Sequence, residues 1–139
     1  MALLLEHFAR HQWLVALALA AAIAVIVYEL RQRTLELAAV SPQDAVRLMN
    51  QGAAVLDVRT PEEFASGHLS TARHAPLDKL SEMAESLKRF KDKPVLVYCE
   101  RGMRASTAIK QLNALGFTKT FNMRGGVAAW RAESLPLAR

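Results

Sequence analysis

Hydrophobic and polar positions divide the chain into two parts of different character. Residues 13–28 are all apolar or aromatic, whereas from Ser41 onward short apolar runs alternate with amphipathic segments. With Gln12 and Leu30 at its ends, the apolar stretch nears the roughly 20 residues that a helix needs to cross a bilayer. The pattern predicts an N-terminal flank over 1–11, a transmembrane helix over 12–30, a linker over 31–40 and one folded domain over 41–139.

The ends of the apolar stretch favour a membrane anchor over the two alternatives, a cleaved signal peptide and a buried helix of a soluble protein. Trp13 and Tyr28 lie where membrane proteins place interfacial aromatic side chains. Arg31 and Arg33 follow the stretch directly, and charges there oppose signal-peptide cleavage. Because Arg31 and Arg33 outnumber Arg10, the positive-inside rule predicts that the C-terminal part faces the cytoplasm.

The pattern after Ser41 predicts an α/β domain. Short, nearly continuous apolar runs, typical of strands buried on both faces, cover residues 53–58 and 95–99, and residues 117–123 are predicted to form a further strand. Capping residues and apolar positions three and four apart predict helices that begin at Ser41 and Thr60, extend over 77–90 and 105–115, and follow Gly126. This alternation predicts a central, mainly parallel sheet flanked by helices, with ligands bound beyond the carboxyl ends of the strands.

The only cysteine of the chain, Cys99, lies at such a strand end and opens a short loop that closes on Arg104. Ala105 starts the next helical pattern, so the loop lies against a helix N-terminus, where unpaired N–H groups and the helix dipole attract anions. A thiol in that setting favours its thiolate form, which is the nucleophile. Arg101 and Arg104 add positive charge that favours an ionised sulfur and an anionic substrate.

Composition narrows the chemistry further. One cysteine excludes an internal disulfide and a cysteine-rich zinc site, and four scattered histidines are a poor ligand set, so we expect no metal and no cofactor. The net charge is +5, all of it after Val40, but the basic residues are spread along the domain. One basic cluster over 88–93 is interrupted by Phe90 and Asp92 and is interpreted as a solvated helix end. We therefore expect small anionic ligands and no nucleic acid.

Short motifs follow one another in order through the domain: Asp57-Val58-Arg59, Glu63-Phe64, Gly67-His68-Leu69, Val97-Tyr98-Cys99 with Gly102 and Arg104, and Gly125-Gly126 with Trp130. Over about residues 41–136 this series resembles a single-domain rhodanese, a sulfurtransferase. The preceding apolar helix and the Leu-Pro-Leu tail over 135–137 also resemble bacterial membrane-anchored rhodanese-like proteins. The resemblance implies a single-pass protein of the inner (cytoplasmic) membrane.

The resemblance also implies persulfide chemistry at Cys99. The thiolate would take the outer sulfur of thiosulfate or a similar small anionic donor, and a thiol or a protein would accept that sulfur in a second displacement step. With no second cysteine in the sequence, the acceptor has to come from outside the chain. The residues expected to hold persulfide or donor, through backbone amides or side chains, are Glu100, Arg101, Gly102, Met103, Arg104 and Arg59.

Other residues near this predicted site are expected to have structural roles. Asp57 is interpreted as a carboxylate that nearby backbone or an arginine satisfies, and His68 as a hydrogen-bonded scaffold residue. For Arg59 a structural alternative stays open, an ion pair with Glu62 or Glu63. The negative charge of Glu100 beside an anion site would weaken thiosulfate binding and favour another donor.

Two other functions remain as alternatives. Phosphatases and arsenate reductases of the same fold have a loop that resembles Cys-x5-Arg, whereas four residues separate Cys99 from Arg104 here. Tyr98 also stands where the phosphatase pattern has a histidine. A membrane-tethered binding module with little turnover is the other alternative, and the intact Cys99 and Arg104 argue against it.

Overall fold

The computed structural model describes the backbone of residues 1–139 and all side chains except those of residues 34–37. The chain divides into two compact units, Met1–Leu37 and Ala38–Arg139. The first unit is helix α1 (Ala2–Leu37). Among the described residues, its portion Ala2–Arg33 is the one helix long and apolar enough to cross a membrane, with a mean hydropathy of 2.3 over its best window. The predicted span over 12–30 lies within this helix.

The second unit is built on a parallel sheet of five strands in the order β1-β5-β4-β2-β3. The strands are β1 (Ala39–Val40), β2 (Ala54–Asp57), β3 (Ala72–His74), β4 (Val95–Tyr98) and β5 (Thr120–Met123). The helices are α2 (Pro42–Asn50), α3 (Pro61–Ser66), α4 (Ala84–Leu87), α5 (Met103–Ala114) and α6 (Gly126–Ala132). The predicted α/β class with a parallel sheet flanked by helices is confirmed.

The apolar runs of the sequence form the centre of this sheet. Every residue of β4 is buried, as expected for a strand covered on both faces. Leu96 of β4 is paired with Val55 of β2 on one side and Phe121 of β5 on the other. Trp130 of α6 packs into the same core cluster, which also contains Met123. The pairing of β4 with β2 and β5 therefore fixes the position of the carboxyl end of β4, which Cys99 follows directly.

Two short edge strands lie where the sequence pattern showed none. Strand β1 falls within residues 31–40, so the compact unit begins at Ala38 rather than at Ser41. The N–H groups of Asn122 and Arg124 donate to the carbonyls of Ala38 and Val40 and hold β1 beside β5. Strand β3 is the other edge strand and pairs parallel with β2. Edge strands of two or three residues are too short to show an apolar period.

The segment over 77–90 differs from the continuous helix that its apolar spacing predicts. It consists of a 3₁₀ turn (Leu77–Lys79), the single-turn helix α4 and a second 3₁₀ turn (Lys88–Phe90). Leu80 and Leu87 are both buried. Because successive turns can bury apolar residues at helical spacing, the pattern alone did not distinguish a helix from a series of turns.

A buried ion pair closes the carboxyl end of β2. The side chains of Asp57 and Arg59 are 0% and 1% exposed, and Arg59 Nη2 lies 2.7 Å from Asp57 Oδ2. Arg59 Nη2 also donates to the carbonyl oxygen of Gly67 at 2.7 Å, and Nη1 donates to Glu100 Oε2 at 3.4 Å. One guanidinium thus joins β2, the end of α3 and the loop that follows β4.

These contacts correct the ion pair predicted for Arg59. It pairs with Asp57 instead of Glu62 or Glu63, because residues two apart on an extended chain project to the same side. Its three guanidinium nitrogens all donate to protein oxygens, and a contact between Arg59 and substrate stays a prediction. Asp57 accepts the bonds from Nε at 3.0 Å and Nη2 at 2.7 Å, together with one from the backbone N–H of Arg59 at 2.9 Å.

We expect Asp57→Asn to lower the free energy of unfolding by about 3–5 kcal/mol, because it removes the fully buried carboxylate of the pair and leaves the guanidinium only the longer contact with Glu100. Urea unfolding of the full chain in detergent micelles, followed by circular dichroism, measures this change. Glu85→Gln is the matched control, since its carboxylate makes only an exposed ion pair with Lys88 at 3.7 Å. Equal effects of the two substitutions would contradict a stabilising buried pair.

Candidate active site

Cys99 directly follows β4 and is almost completely buried, with an exposed fraction of 1%. Its Sγ accepts hydrogen bonds from the backbone N–H groups of Gly102 at 3.0 Å and Ala105 at 3.4 Å. Both donors belong to the start of α5, where the helix dipole favours negative charge. Gly102 has a φ of 109°, a conformation that glycine adopts readily and that turns the loop back toward its own sulfur. Two backbone N–H groups are thus directed at the sulfur atom.

Two polar side chains that the sequence analysis missed brace the loop from β5 and α5. Asn122 Nδ2 donates to the Gly102 carbonyl at 3.1 Å and to Ser106 Oγ at 3.0 Å. Ser106 Oγ donates to the same carbonyl at 3.1 Å. An asparagine inside a predicted strand was the signal in the sequence, because a polar side chain there requires a partner. This bracing holds the Gly102 N–H in place toward Cys99.

Helix α6 closes on the other side of the loop. The N–H of Val127 donates to the Cys99 carbonyl at 2.9 Å, and the N–H of Ala128 donates to the Glu100 carbonyl at 3.0 Å. Gly126 lies so close that a side chain there would collide with the Cys99 carbonyl oxygen and the Glu100 carbonyl group. The absence of a side chain at Gly126 therefore allows α6 to approach the loop.

The carboxylate of Glu100 lies between two arginines. Its Oε1 accepts a hydrogen bond from Arg131 Nη1 at 2.8 Å, and its Oε2 accepts one from Arg59 Nη1 at 3.4 Å. The negative charge of Glu100 beside the predicted anion site is therefore compensated by Arg59 and Arg131. Arg131 on α6 is a further residue that the sequence analysis did not connect with the loop.

Arg104 forms a two-bond ion pair with Glu63. Its Nη1 and Nη2 donate to the two carboxylate oxygens at 2.7 and 2.9 Å. The hydrogen bonds from Arg104 lower the pKa of Glu63 to about 2, and the same contact raises the pKa of Arg104. Glu63 also forms a capping box with Thr60 at the start of α3. The arginine expected to bind a donor thus already holds a carboxylate.

The other predicted site residues have separate positions. Arg101 and Met103 are exposed, Met103 at 84%, and no ion pair of Arg101 occurs among the described side chains. His68 Nδ1 lies 3.0 Å from the Phe64 carbonyl, and its ring stacks on that of Phe64 at 3.9 Å. The structure thus brings Gly102, Arg104 and Glu100 around Cys99 but places His68 in the scaffold.

A cavity of about 490 Å³ borders Arg104. Residues 58–61 after β2, Leu77 and Asp78 after β3, and Arg104 and Gln111 of α5 are among its lining residues. The Oε1 atom of Gln111 is buried and accepts no hydrogen bond from the described residues. No group of three or more His, Cys, Asp or Glu side chains suited to a metal ion occurs in the part of the chain that the structure describes.

Comparison with known proteins agrees with this fold and loop. Residues 41–133 match the family described as Rhodanese-like domain. The chain belongs to the rhodanese family. The rhodanese-like domain so matched contains the whole Cys99 loop, both helices that contact it and the Glu63–Arg104 pair, which confirms the resemblance drawn from the ordered motifs.

Several known proteins are similar to this rhodanese-like chain. An uncharacterised protein, YibN of Escherichia coli K12, is 30% identical over 98% of this chain and 96% of its own length. The thiosulfate sulfurtransferase GlpE of Ectopseudomonas mendocina is 36% identical over 67% of this chain and 84% of its own. A rhodanese-related protein of Thermoplasma volcanium has a solved structure that superposes with a TM-score of 0.65, at 28% identity over 72% of this chain and 96% of that one.

We expect Gly126→Ala to destabilise the rhodanese-like domain by about 1–3 kcal/mol more than Gly52→Ala, because its added methyl group collides with the Cys99 loop. The two glycines form a matched pair, since both have positive φ (59° and 88°) but nothing lies within 4 Å of a methyl group at Gly52. Urea unfolding measures the stabilities. Alkylation of Cys99 by iodoacetamide should change in rate only in Gly126→Ala, and identical rates in both variants would refute the close approach of α6.

Proposed function

We propose that this protein is a sulfurtransferase that moves sulfane sulfur from thiosulfate or a similar donor to a thiophilic acceptor through a persulfide on Cys99. The observation that carries this proposal is the position of Cys99 Sγ, which accepts hydrogen bonds from the N–H groups of Gly102 and Ala105 at the start of α5. Membership of the rhodanese family supports it, as does the similarity to proteins named thiosulfate sulfurtransferase.

In the first half of the reaction, the Cys99 thiolate attacks the outer sulfur of the donor. A new S–S bond forms at Cys99 while the S–S bond of thiosulfate breaks, and its electron pair leaves with sulfite. Cys99 then carries the transferred sulfur as a persulfide anion. The amides of Gly102 and Ala105 stabilise negative charge on sulfur before and after the transfer, because they are fixed by the fold and need not reorganise.

In the second half, an acceptor nucleophile takes the outer sulfur and the electron pair of the breaking S–S bond returns to Cys99. A thiol or a protein sulfur acceptor fits this step. The sequence contains one cysteine, so no neighbouring thiol of the chain resolves the persulfide as an internal disulfide. Two successive displacements predict ping-pong kinetics.

We expect the purified full chain to gain one sulfur atom on Cys99 when incubated with a sulfane-sulfur donor, as detected by intact-mass and peptide mass spectrometry. Cyanide or a thiol should remove that sulfur. Cys99→Ser should neither gain sulfur nor support transfer, whereas Ser70→Ala, an exposed control, should behave as the parent chain. Absence of added sulfur with every donor, or unchanged transfer in Cys99→Ser, would overturn the proposal, and hydrolysis of an aryl phosphate would favour a phosphatase.

We also propose that residues 12–30 anchor the protein in the bacterial inner membrane, with the rhodanese-like domain on the cytoplasmic side. The apolar helix has the required length. The E. coli relative is similar over 98% of the chain, so the similarity includes this helix. The predicted orientation rests on Arg31 and Arg33. A reduced compartment for the Cys99 thiol is consistent with that side.

We expect a cysteine placed at Arg139 in a Cys99→Ser background to resist a membrane-impermeant maleimide in intact cells and to react after lysis. Arg139 is exposed. A known periplasmic cysteine protein labelled in the same cells is the control for reagent access. Labelling of Arg139→Cys before lysis would reverse the proposed orientation, and recovery of the chain in the soluble fraction would refute the anchor.

A further inference from the structure

The shorter of the two hydrogen bonds to Cys99 Sγ comes from a residue with a flexible backbone. The N–H of Gly102 lies 3.0 Å from the sulfur atom, and that of Ala105 lies 3.4 Å from it. The Ala105 N–H belongs to α5, so the helix itself orients it. Gly102 precedes the helix with a φ of 109° and a ψ of −17°, and no side chain restricts its backbone. The direction of the shorter bond therefore depends on the other contacts of Gly102.

The carbonyl of Gly102 makes those contacts. It accepts hydrogen bonds from the backbone N–H of Ser106, from Ser106 Oγ and from Asn122 Nδ2, each at 3.1 Å. The first is the ordinary first hydrogen bond of a helix and needs no particular side chain. The other two depend on the side chains, and Asn122 Nδ2 also donates to Ser106 Oγ at 3.0 Å. Two specific side chains thus fix the carbonyl of the residue whose N–H is directed at sulfur.

The side-chain amide of Asn122 has no other hydrogen-bond partner among the described residues. Its Oδ1 atom is buried and accepts no hydrogen bond from them. The backbone of Asn122 is held independently, since it pairs with Val97 on one side and Ala39 on the other. Without the amide, the Gly102 carbonyl and Ser106 Oγ would still be bonded to each other. Asn122 can therefore be replaced without breaking the sheet or leaving a polar group of the loop unpaired.

Most of the charged side chains around the loop form ion pairs with one another. The pairs are Glu100 with Arg59 and Arg131, and Arg104 with Glu63. Arg101 has no ion pair among the described side chains, but it is exposed, and water weakens the effect of its charge. Directed N–H groups are therefore a principal means by which this fold stabilises negative charge on the sulfur of Cys99.

We propose that Asn122 is a positioning residue for the chemistry at Cys99: together with Ser106 it fixes Gly102, so that the Gly102 N–H stays directed at Sγ and stabilises the sulfur atom when it is negatively charged. For sulfur transfer this inference rests on the proposed sulfurtransferase function, whereas its effect on the thiol itself does not. Asn122 acts through Gly102 and need not touch a sulfur donor or acceptor.

A second side-chain hydrogen bond between β5 and α5 provides a matched control. Thr120 Oγ1 of β5 donates to Asn113 Oδ1 of α5 at 2.8 Å. This bond links the same two elements as the bond from Asn122 to Ser106, but Asn113 lies at the other end of α5 from Gly102. Loss of either bond would loosen α5 against β5, whereas only loss of the Asn122 amide removes support from Gly102.

The first test measures how the rate of Cys99 alkylation by iodoacetamide depends on pH, with the full chain in detergent micelles. Asn122→Leu should raise the pH of half-maximal rate by about half a unit, because the thiolate loses part of its hydrogen bond from Gly102. Thr120→Val should leave that pH unchanged. Below the half-maximal pH of the parent chain, Asn122→Leu should also take up sulfur from thiosulfate about threefold more slowly, since half a pH unit is about a threefold smaller thiolate fraction.

The second test determines whether both side chains act through the same carbonyl. Ser106→Ala alone should raise the half-maximal pH by an amount similar to that of Asn122→Leu, and it also tests the inference should Asn122→Leu fail to fold. The double variant should raise it by about 1.5 units, more than the sum of the two single shifts, because each side chain still holds the carbonyl when the other is missing. Urea unfolding of each variant measures stability separately.

The outcomes separate this inference from the proposed function. Unchanged alkylation profiles in Ser106→Ala and the Asn122 variants, or an equal shift in Thr120→Val, would overturn the positioning role and leave the sulfurtransferase proposal standing. If instead no donor places sulfur on the parent chain, the sulfurtransferase proposal fails. The alkylation profiles then still decide the role of Asn122, because alkylation needs no sulfur donor.

Discussion

The buried guanidinium of Arg59 joins the three segments from which the candidate site is built. It bonds Asp57 at the end of β2, the Gly67 carbonyl at the end of α3, and Glu100 in the Cys99 loop. A buried cation requires its counter-charge and acceptors in place, so these segments cannot move apart without leaving a charge unpaired in the interior. Glu100 extends the same network to Arg131 of α6. The position of the loop is therefore set by electrostatics as well as by the strand that precedes it.

Two helix N-termini meet at this loop and act on different parts of it. The first amides of α5 are directed at Cys99 Sγ, whereas the first amides of α6 satisfy the carbonyls of Cys99 and Glu100. Helix α6 thus holds the backbone of the loop, and the start of α5 donates hydrogen bonds to the sulfur atom. In the proposed sulfur transfer, these amides need not reorganise, because the fold already orients them. The Glu63–Arg104 ion pair joins α3 to α5 beside this loop.

Local signals predicted the parts of the fold that depend on few residues. The apolar runs that became β2 and β4, the capping residues Ser41 and Thr60, and the cysteine before a helix start all describe contacts within a few positions of one another. The edge strands β1 and β3 were not predictable in this way, because they are held by hydrogen bonds to distant strands and have no period of their own. Residues 77–90 kept their buried positions but formed turns, since packing required only that Leu80 and Leu87 point inward.

The sequence by itself determined the α/β class, the apolar helix and the spacing from Cys99 to Arg104, because each of these depends on residues that are close together in the chain. The tertiary structure decided which charges meet. Arg104 forms an ion pair with Glu63, which lies 41 positions earlier, and Arg131 forms one with Glu100, at a separation of 31 positions. The absence of a side chain at Gly126 allows α6 to pack against the Cys99 loop. Ion pairs between distant segments depend on how β2, β4 and the helices stack, and nothing in the local pattern distinguishes one possible carboxylate from another. The cysteine could be found from the sequence, whereas the charge that surrounds it could be found only from the fold.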